Sequence, residues 1–313
     1  MRARRLIRAA GLGVLALAGL ALALVVAGQV VTGRAMRRQR AVAPAPLAVR
    51  HDGAAAAAQV ARGRRLVEVV ARCGECHGDD LGGKVLADDA LLGRLAAANL
   101  TGGLGGVGRD RTDADLARAI RHGVGPGGRA LVVMPSDVYN AFDDADLGAI
   151  VAYLRAVPPV DREVPATRVG PMTGVLYMAG LFPLFAADAM ADAADGVAGT
   201  TGRVTPPAAA TPEYGAHLAT VAGCRGCHGA ELGGDGVHGA PGAPKAPNLT
   251  RGGALAEWGE ADFVRAIHTG RRPDGSAISE AMPWKYMDGL TDEELRALWL
   301  YSRTVPPRQV AVK

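Results

Sequence analysis

"CGECHG" occupies residues 73–78 and "CRGCHG" residues 224–229. The four cysteines of the chain, Cys73, Cys76, Cys224 and Cys227, all lie in these two stretches, and each pair is followed directly by a histidine, His77 or His228. A thioredoxin-like dithiol needs the strand–helix setting of a βαβ unit. The flanks of both pairs carry helical periods and glycine-rich loops instead, with no alternating strand pattern. A zinc site needs two more nitrogen or sulfur ligands at knuckle spacing. Pairs 151 residues apart could assemble one only by docking the two halves together, and the adjoining histidine would have no part in it.

In C-x-x-C-H the two thiols can form thioethers to the vinyl groups of a haem, and the histidine then lies under the iron as an axial ligand. Two copies imply two covalently attached haem c groups. An iron that only carries electrons needs a second axial ligand, for which methionine sulfur serves when a high potential is wanted. Internal repeats locate it. "ANLTGG" at 98–103 matches "PNLTRGG" at 247–253, "VMPSDVY" at 133–139 matches "AMPWKYM" at 281–287, and "LRAVPPV" at 154–160 matches "SRTVPPR" at 302–308. Met134 follows His77 by 57 residues and Met282 follows His228 by 54, and each methionine stands 24 residues before the first proline of its Pro-Pro pair.

A lone methionine is ordinarily core filler, but recurrence at matched positions makes Met134 and Met282 the expected second ligands. Met287 faces Tyr139 of the other copy and is expected to pack. Met36, Met172, Met178 and Met190 lie outside both repeats. Pro135 and Pro283 fix φ and withdraw a backbone donor, which suits a loop that presents sulfur at one angle. His51, His122, His217, His238 and His268 have no matched partner and read as surface or structural. Trp284, two residues past Met282, borders the second haem or fills core.

Each repeat opens with a helical stripe, Val60, Gly63, Val67 and Val70 in one and Tyr214, Leu218 and Val221 in the other, which is expected to deliver the cysteines at its C-terminal end. A middle helix is expected over about 112–122 and 260–268. Each repeat closes with a helix carrying Leu147, Ile150, Val151 and Leu154, or Leu295, Leu298 and Trp299. Thr291 and Glu294 have capping-box spacing, Asp143, Asp144 and Asp146 favour a helix start, and the Pro-Pro pairs at 158–159 and 306–307 stop both helices. Three short helices in about 100 residues bury little by themselves, so the haem must supply much of each core.

On these motifs the two repeats resemble class I cytochrome c domains, and the chain resembles the membrane-bound dihaem cytochromes c that serve periplasmic alcohol, aldehyde and gluconate-type dehydrogenases. The resemblance implies an all-α fold of two tandem domains, each a small helical fold around a covalent haem, over 57–160 and 212–309. It implies His77 with Met134 and His228 with Met282 as axial pairs. It also implies a backbone carbonyl near each N-L-T segment as acceptor for histidine Nδ1–H. Ala98 stands where the second copy has Pro247. Cytochromes of that group often carry three haems, against two motifs here.

No charged residue occurs from Ala9 to Gly33, a run of 25 positions long enough to cross a bilayer. Residues 1–40 read as a membrane anchor or an uncleaved signal, with "VVAG" around Ala27 as a passable cleavage site. Arg2, Arg4, Arg5 and Arg8 on one side balance Arg34, Arg37, Arg38 and Arg40 on the other, so charge does not orient the span. Haem attachment outside the bacterial cytoplasmic membrane, which the resemblance implies, puts the body on the periplasmic side of the inner membrane. Residues 41–56 form a tether. In the connector, 161–211, the apolar part at 169–187 is expected to pack against or between the domains, or to lie on the membrane or a partner surface. A second span there would place the second motif on the wrong side.

The formal charge of +4 conceals a body of opposite sign: taking those eight arginines from 35 basic residues leaves 27 against 31 acidic. Nucleic acid is therefore not an expected partner. With both irons taken up by two protein ligands, the expected role is electron transfer, from a periplasmic dehydrogenase or quinol-oxidising respiratory complex to a terminal acceptor such as another cytochrome or an oxidase. The chain is then not an enzyme but a carrier. The rival reading is a haem enzyme, of dihaem peroxidase or thiosulfate-oxidising type, with one accessible iron.

Overall fold

An uncharged run this long has no backbone partner outside itself and satisfies its amides as one helix. In the computed structural model, which describes residues 2–42, 47–50, 52–192, 204–236 and 244–308, that helix is α1, Arg2–Arg37. Among the described residues it alone is long and apolar enough to cross a membrane. Parts of the tether and connector (43–46 and 193–203), residue 309, His51 and His238 lie outside the described residues.

The first repeat runs α2 Gly53–Arg65, a single π turn Leu66–Val70, α3 Cys73–His77, β1 Lys84–Asp89, β2 Gly93–Ala97, α4 Val107–Asp110, α5 Asp113–His122, α6 Ser136–Tyr139 and α7 Asp144–Ala156. The connector holds β3 Arg168–Val169, α8 Pro171–Met178 and α9 Ala186–Asp192. The second repeat has α10 Pro212–Val221, α11 Cys224–His228, α12 Glu260–Thr269, α13 Trp284–Met287 and α14 Asp292–Thr304. The chain is mostly helical. Thr112 and Asp115, and Thr291 and Glu294, form capping boxes, while Asp143 accepts from the Asp146 amide.

One expectation needs correction. The opening helices do not carry the cysteines on their last turns: each chain breaks first, at Arg72 (φ 50) or Gly223 (φ 72), and the motif starts a separate one-turn helix. The backbone must enter the left-handed region to turn there, which glycine does freely and arginine at a cost. The mostly helical fold also includes a three-stranded antiparallel sheet, β1–β2–β3, two strands of which belong to the first repeat and one to the connector. All six residues of β1 are exposed, so no inside–outside alternation marks it in sequence.

One core runs through both repeats. Val67, Val70, Phe142, Ile150 and Leu154 of the first are continuous with Leu218, Val221, Leu290, Leu295 and Trp299 of the second. Met287 is buried in it, as its mismatch with Tyr139 predicts. At the seam Arg65 pairs with Glu294 and donates to Gly289 O at 3.1 Å. The apolar part of the connector packs on the first repeat and on α1: Leu184 and Phe185 cluster with Val124, Ala130, Met36 and Tyr177.

Candidate haem sites

Both motifs are built by the same set of hydrogen bonds. Beyond each histidine, Gly83 N donates to His77 O and Gly234 N to His228 O, both at 2.7 Å. The following Asn99 and Asn248 accept on Oδ1 from the amide and hydroxyl of Thr101 and Thr250, at 2.7–2.9 Å. Their Nδ2 groups donate across to Val160 O (2.7 Å) and Arg308 O (2.6 Å), just past the Pro-Pro pairs. Each N-L-T segment thus ties the loop after the motif to the end of the closing helix. The residue before the asparagine turns its carbonyl onto the ring: His77 Nδ1 lies 2.7 Å from Ala98 O, and His228 Nδ1 lies 2.8 Å from Pro247 O. Alanine serves as well as proline because only the backbone oxygen is used.

That bond fixes the tautomer and leaves Nε2 free to ligate. Burial lowers the pKa of both imidazoles against the opposing effect of the carbonyl, so both are neutral near pH 7, the form that binds a metal. The thiols shift the other way. Burial pushes Cys73 up to about 12 and raises Cys224 and Cys227. A reactive dithiol needs a lowered pKa, so this environment does not favour that chemistry.

Met134 and Met282 sit in matching turns. Ser136 N donates to Met134 O and Trp284 N to Met282 O, both at 2.8 Å, with Pro135 at φ −80, ψ 57 and Pro283 at φ −79, ψ 45. These are inverse γ-turns centred on proline, and each leads into a short helix. The loop before each methionine also repeats: Leu131 N donates to Gly123 O and Ile278 N to Gly270 O, both at 2.7 Å. Met282 packs against the shared core, while Met134 is half-buried next to Val133, whose amide donates to Leu184 O of the connector.

The donor set fits haem c: two thiols three apart on one turn, an oriented neutral imidazole directly after, and a thioether in a rigid loop of the same repeat. A further sign is a buried donor without an acceptor, Trp284 Nε1. It sits two residues from Met282 and could meet a haem carboxylate.

Arg72 escapes sequence reasoning. Its guanidinium donates to Ala222 O at 2.7 Å, two residues before Cys224, so one side chain links the approaches to both motifs. The available signal was its alignment with Gly223, which marks the left-handed backbone both adopt. Tyr139 likewise donates from its hydroxyl to Ala71 O at 2.7 Å, fixing the residue before that turn.

Of the unmatched histidines, His268 lies half-buried between Asp288 (2.9 Å) and Asp292 (3.0 Å), and His217 stacks on Tyr214. His122 is buried. Burial, aided by the charges of Arg121 and Arg118, lowers it from the ordinary 6.5 to about 4. Between those values the unfolded chain binds a proton that the folded chain refuses, so stability is intact above pH 6.5 and falls towards pH 4. The loss is on the order of 2 kcal/mol after discounting for solvent screening. Denaturant midpoints at pH 7 and pH 4.5 should show the drop, and His122→Gln should remove that part of it.

Residues 58–154 match the family described as cytochrome c oxidase, cbb3-type, subunit III, and residues 212–306 match the cytochrome c family. The chain is also 35% identical over 131 residues to one of the subunits of the nicotinate dehydrogenase of Pseudomonas putida, a match that covers 40% of this chain and 11% of that protein. The two family matches take in one C-x-x-C-H each and imply two covalently bound haem c groups. The chain belongs to the cytochromes c: two cytochrome c domains in tandem behind an N-terminal apolar helix.

Proposed function

We propose that the chain is a membrane-anchored electron carrier, with His77 and Met134 on the iron of the first haem and His228 and Met282 on that of the second. Bound haem c supplies a one-electron iron couple; the protein holds it, orients its ligands and keeps substrates off the metal. The observation that carries this reading is the repetition, in both halves, of a histidine pinned by a backbone carbonyl and a methionine held in a proline γ-turn. Two filled axial positions suit outer-sphere transfer.

On this reading residues 1–40 anchor the chain in the inner membrane, and the domains at 57–160 and 212–309 face the periplasm. Retention of the helix is supported by its packing: Gly28, beside the passable cleavage site, is buried against the backbone of Gly174. A periplasmic dehydrogenase as donor is supported by the relative named as a dehydrogenase subunit, and an oxidase or second cytochrome as acceptor by the oxidase-subunit description of the first family. The test is carbon monoxide added to the dithionite-reduced protein. A carrier leaves the Soret band unshifted at both haems; a shift at either one favours the haem-enzyme reading. Donor identity is tested in membranes, where dehydrogenase substrates are screened for the one that reduces the haems.

A further inference from the structure

The connector is fastened to α1 at a level inside the apolar run, and through it the first domain. Gly28 and Gly174 cross backbone to backbone: a Cβ built on Gly28 would lie 2.7 Å from Gly174 C. Gln29 Nε2 donates to Gly170 O at 2.7 Å, and Thr32 is buried. Gly28 precedes Arg34, the first charge after the run, by six residues, or about 9 Å along a helix. Whatever packs there sits below the level at which the span becomes charged.

The tip of the β1–β2 hairpin is held at that same level. Gly170 N donates to Leu92 O and Met172 N to Leu91 O, both at 3.0 Å, and Thr173 Oγ1 to Leu92 O at 2.8 Å. Leu91 is 59% exposed, Leu92 46% and Met172 43%. Asp89 shapes the turn at the tip by accepting from the Leu91 and Leu92 amides. No charged residue occurs between Asp89 and Arg94 or from Val169 to Ala187. Leu91, Leu92 and Met172 adjoin one another, and a contiguous exposed apolar patch marks a docking or membrane surface; the phase continuous with α1 at this depth is lipid.

We propose that Leu91, Leu92 and Met172 insert into the outer leaflet beside α1, so that the first domain is seated on the bilayer at two points and held in one orientation. This rests on the reading of α1 as a retained anchor. The small sheet then has a reason to exist in the first repeat: it carries an apolar tip where the second repeat has "HGAPG" at 238–242. A domain so seated presents a fixed face to partners in or on the membrane, while the second domain reaches the aqueous side.

The test is site-directed spin labelling of the haem-loaded full chain in phosphatidylcholine vesicles, in the reduced low-spin state. With the native cysteines in thioether linkage, single substitutions Leu91→Cys, Leu17→Cys and Val204→Cys take the label selectively. Leu17 lies in the middle of the span, and Val204 is 85% exposed. The expected result is that labels at 91 and 17 relax more with oxygen than with a water-soluble nickel chelate, and the label at 204 the reverse. A label at 91 that behaves like the one at 204, with 17 still shielded, overturns the insertion and leaves the anchor standing. A label at 17 that is open to nickel, or a mature chain that lacks residue 17, overturns the anchor and the insertion with it.

Discussion

Met282→Ala in the haem-loaded protein is expected to abolish one of two long-wavelength sulfur-to-iron bands, to lower the potential of one haem by on the order of 0.1 V, and to open that iron to carbon monoxide. Met134→Ala is expected to do the same at the other haem. Axial ligation spans roughly 0.8 V across haem proteins, with methionine at the high end, so losing the thioether is a large change on that scale. The reasoning lies in the loops. Each methionine begins an inverse γ-turn with a rigid proline at its centre, so no neighbouring residue can slide into its place. Met287 is the nearest rival in sequence, but it is 4% exposed in a core of leucines and aromatic rings. Met190 is engaged by Asn140 Nδ2 at 3.1 Å. Redox-titrated absorption spectra of the three variants Met134→Ala, Met282→Ala and Met287→Ala check the assignment. A band that survives Met282→Ala and disappears in Met287→Ala would refute it.

The proposed haem ligands stand out in the sequence because they recur. Two copies of one motif turn spacing into a measurement, and Met134 with Met282 stood out against six other methionines by that criterion alone. The histidine–carbonyl bonds needed knowledge of related folds, since no local pattern marks Ala98 or Pro247 as acceptors. Local sequence also marked the helix starts at Asp143 and Thr291, where a side chain caps its own turn. What stayed hidden is tertiary. Arg72 takes a conformation that glycine takes in the other copy, and its reach to Ala222 depends on how the two halves dock. The hairpin escaped because β1 has no buried face. Residues 169–187 read as apolar without revealing what they cover, and the contact of Gly174 with Gly28 of α1 joins positions 146 apart in sequence. Gly63 was counted in the opening apolar stripe, where its missing side chain leaves a gap.

That gap is expected to be the least tolerant position in the first domain. A Cβ on Gly63 would lie 1.8 Å from Ala149 O and 2.8 Å from Tyr153 Cβ; on Gly215 it would lie 1.9 Å from Ala297 O and 2.8 Å from Tyr301 Cβ. Opening and closing helices therefore touch backbone to backbone in each repeat, α2 on α7 and α10 on α14. Alanine in place of a helical glycine would ordinarily add about 0.5–1 kcal/mol of stability. Here the opposing atom is a helix carbonyl, which cannot move without its whole helix, and overpacking of this kind costs typically 1–3 kcal/mol and sometimes more. Gly63→Ala and Gly215→Ala are thus each expected to lose about 2 kcal/mol net, seen as a melting temperature lower by roughly 10 °C for a domain of this size. Gly19→Ala, where nothing lies within 4 Å, is the control and should leave the transition unmoved. The effect should also reach the haems. α2 and α10 lead directly to the left-handed turns that start each motif, so forcing the helices apart displaces His77 or His228 from the carbonyl that orients it. Haem content measured against protein mass should fall in step with stability. A Gly63→Ala protein with full haem loading and an unchanged melting temperature would mean that the two helices are not in backbone contact, and that the cores of these domains are held by the haem alone.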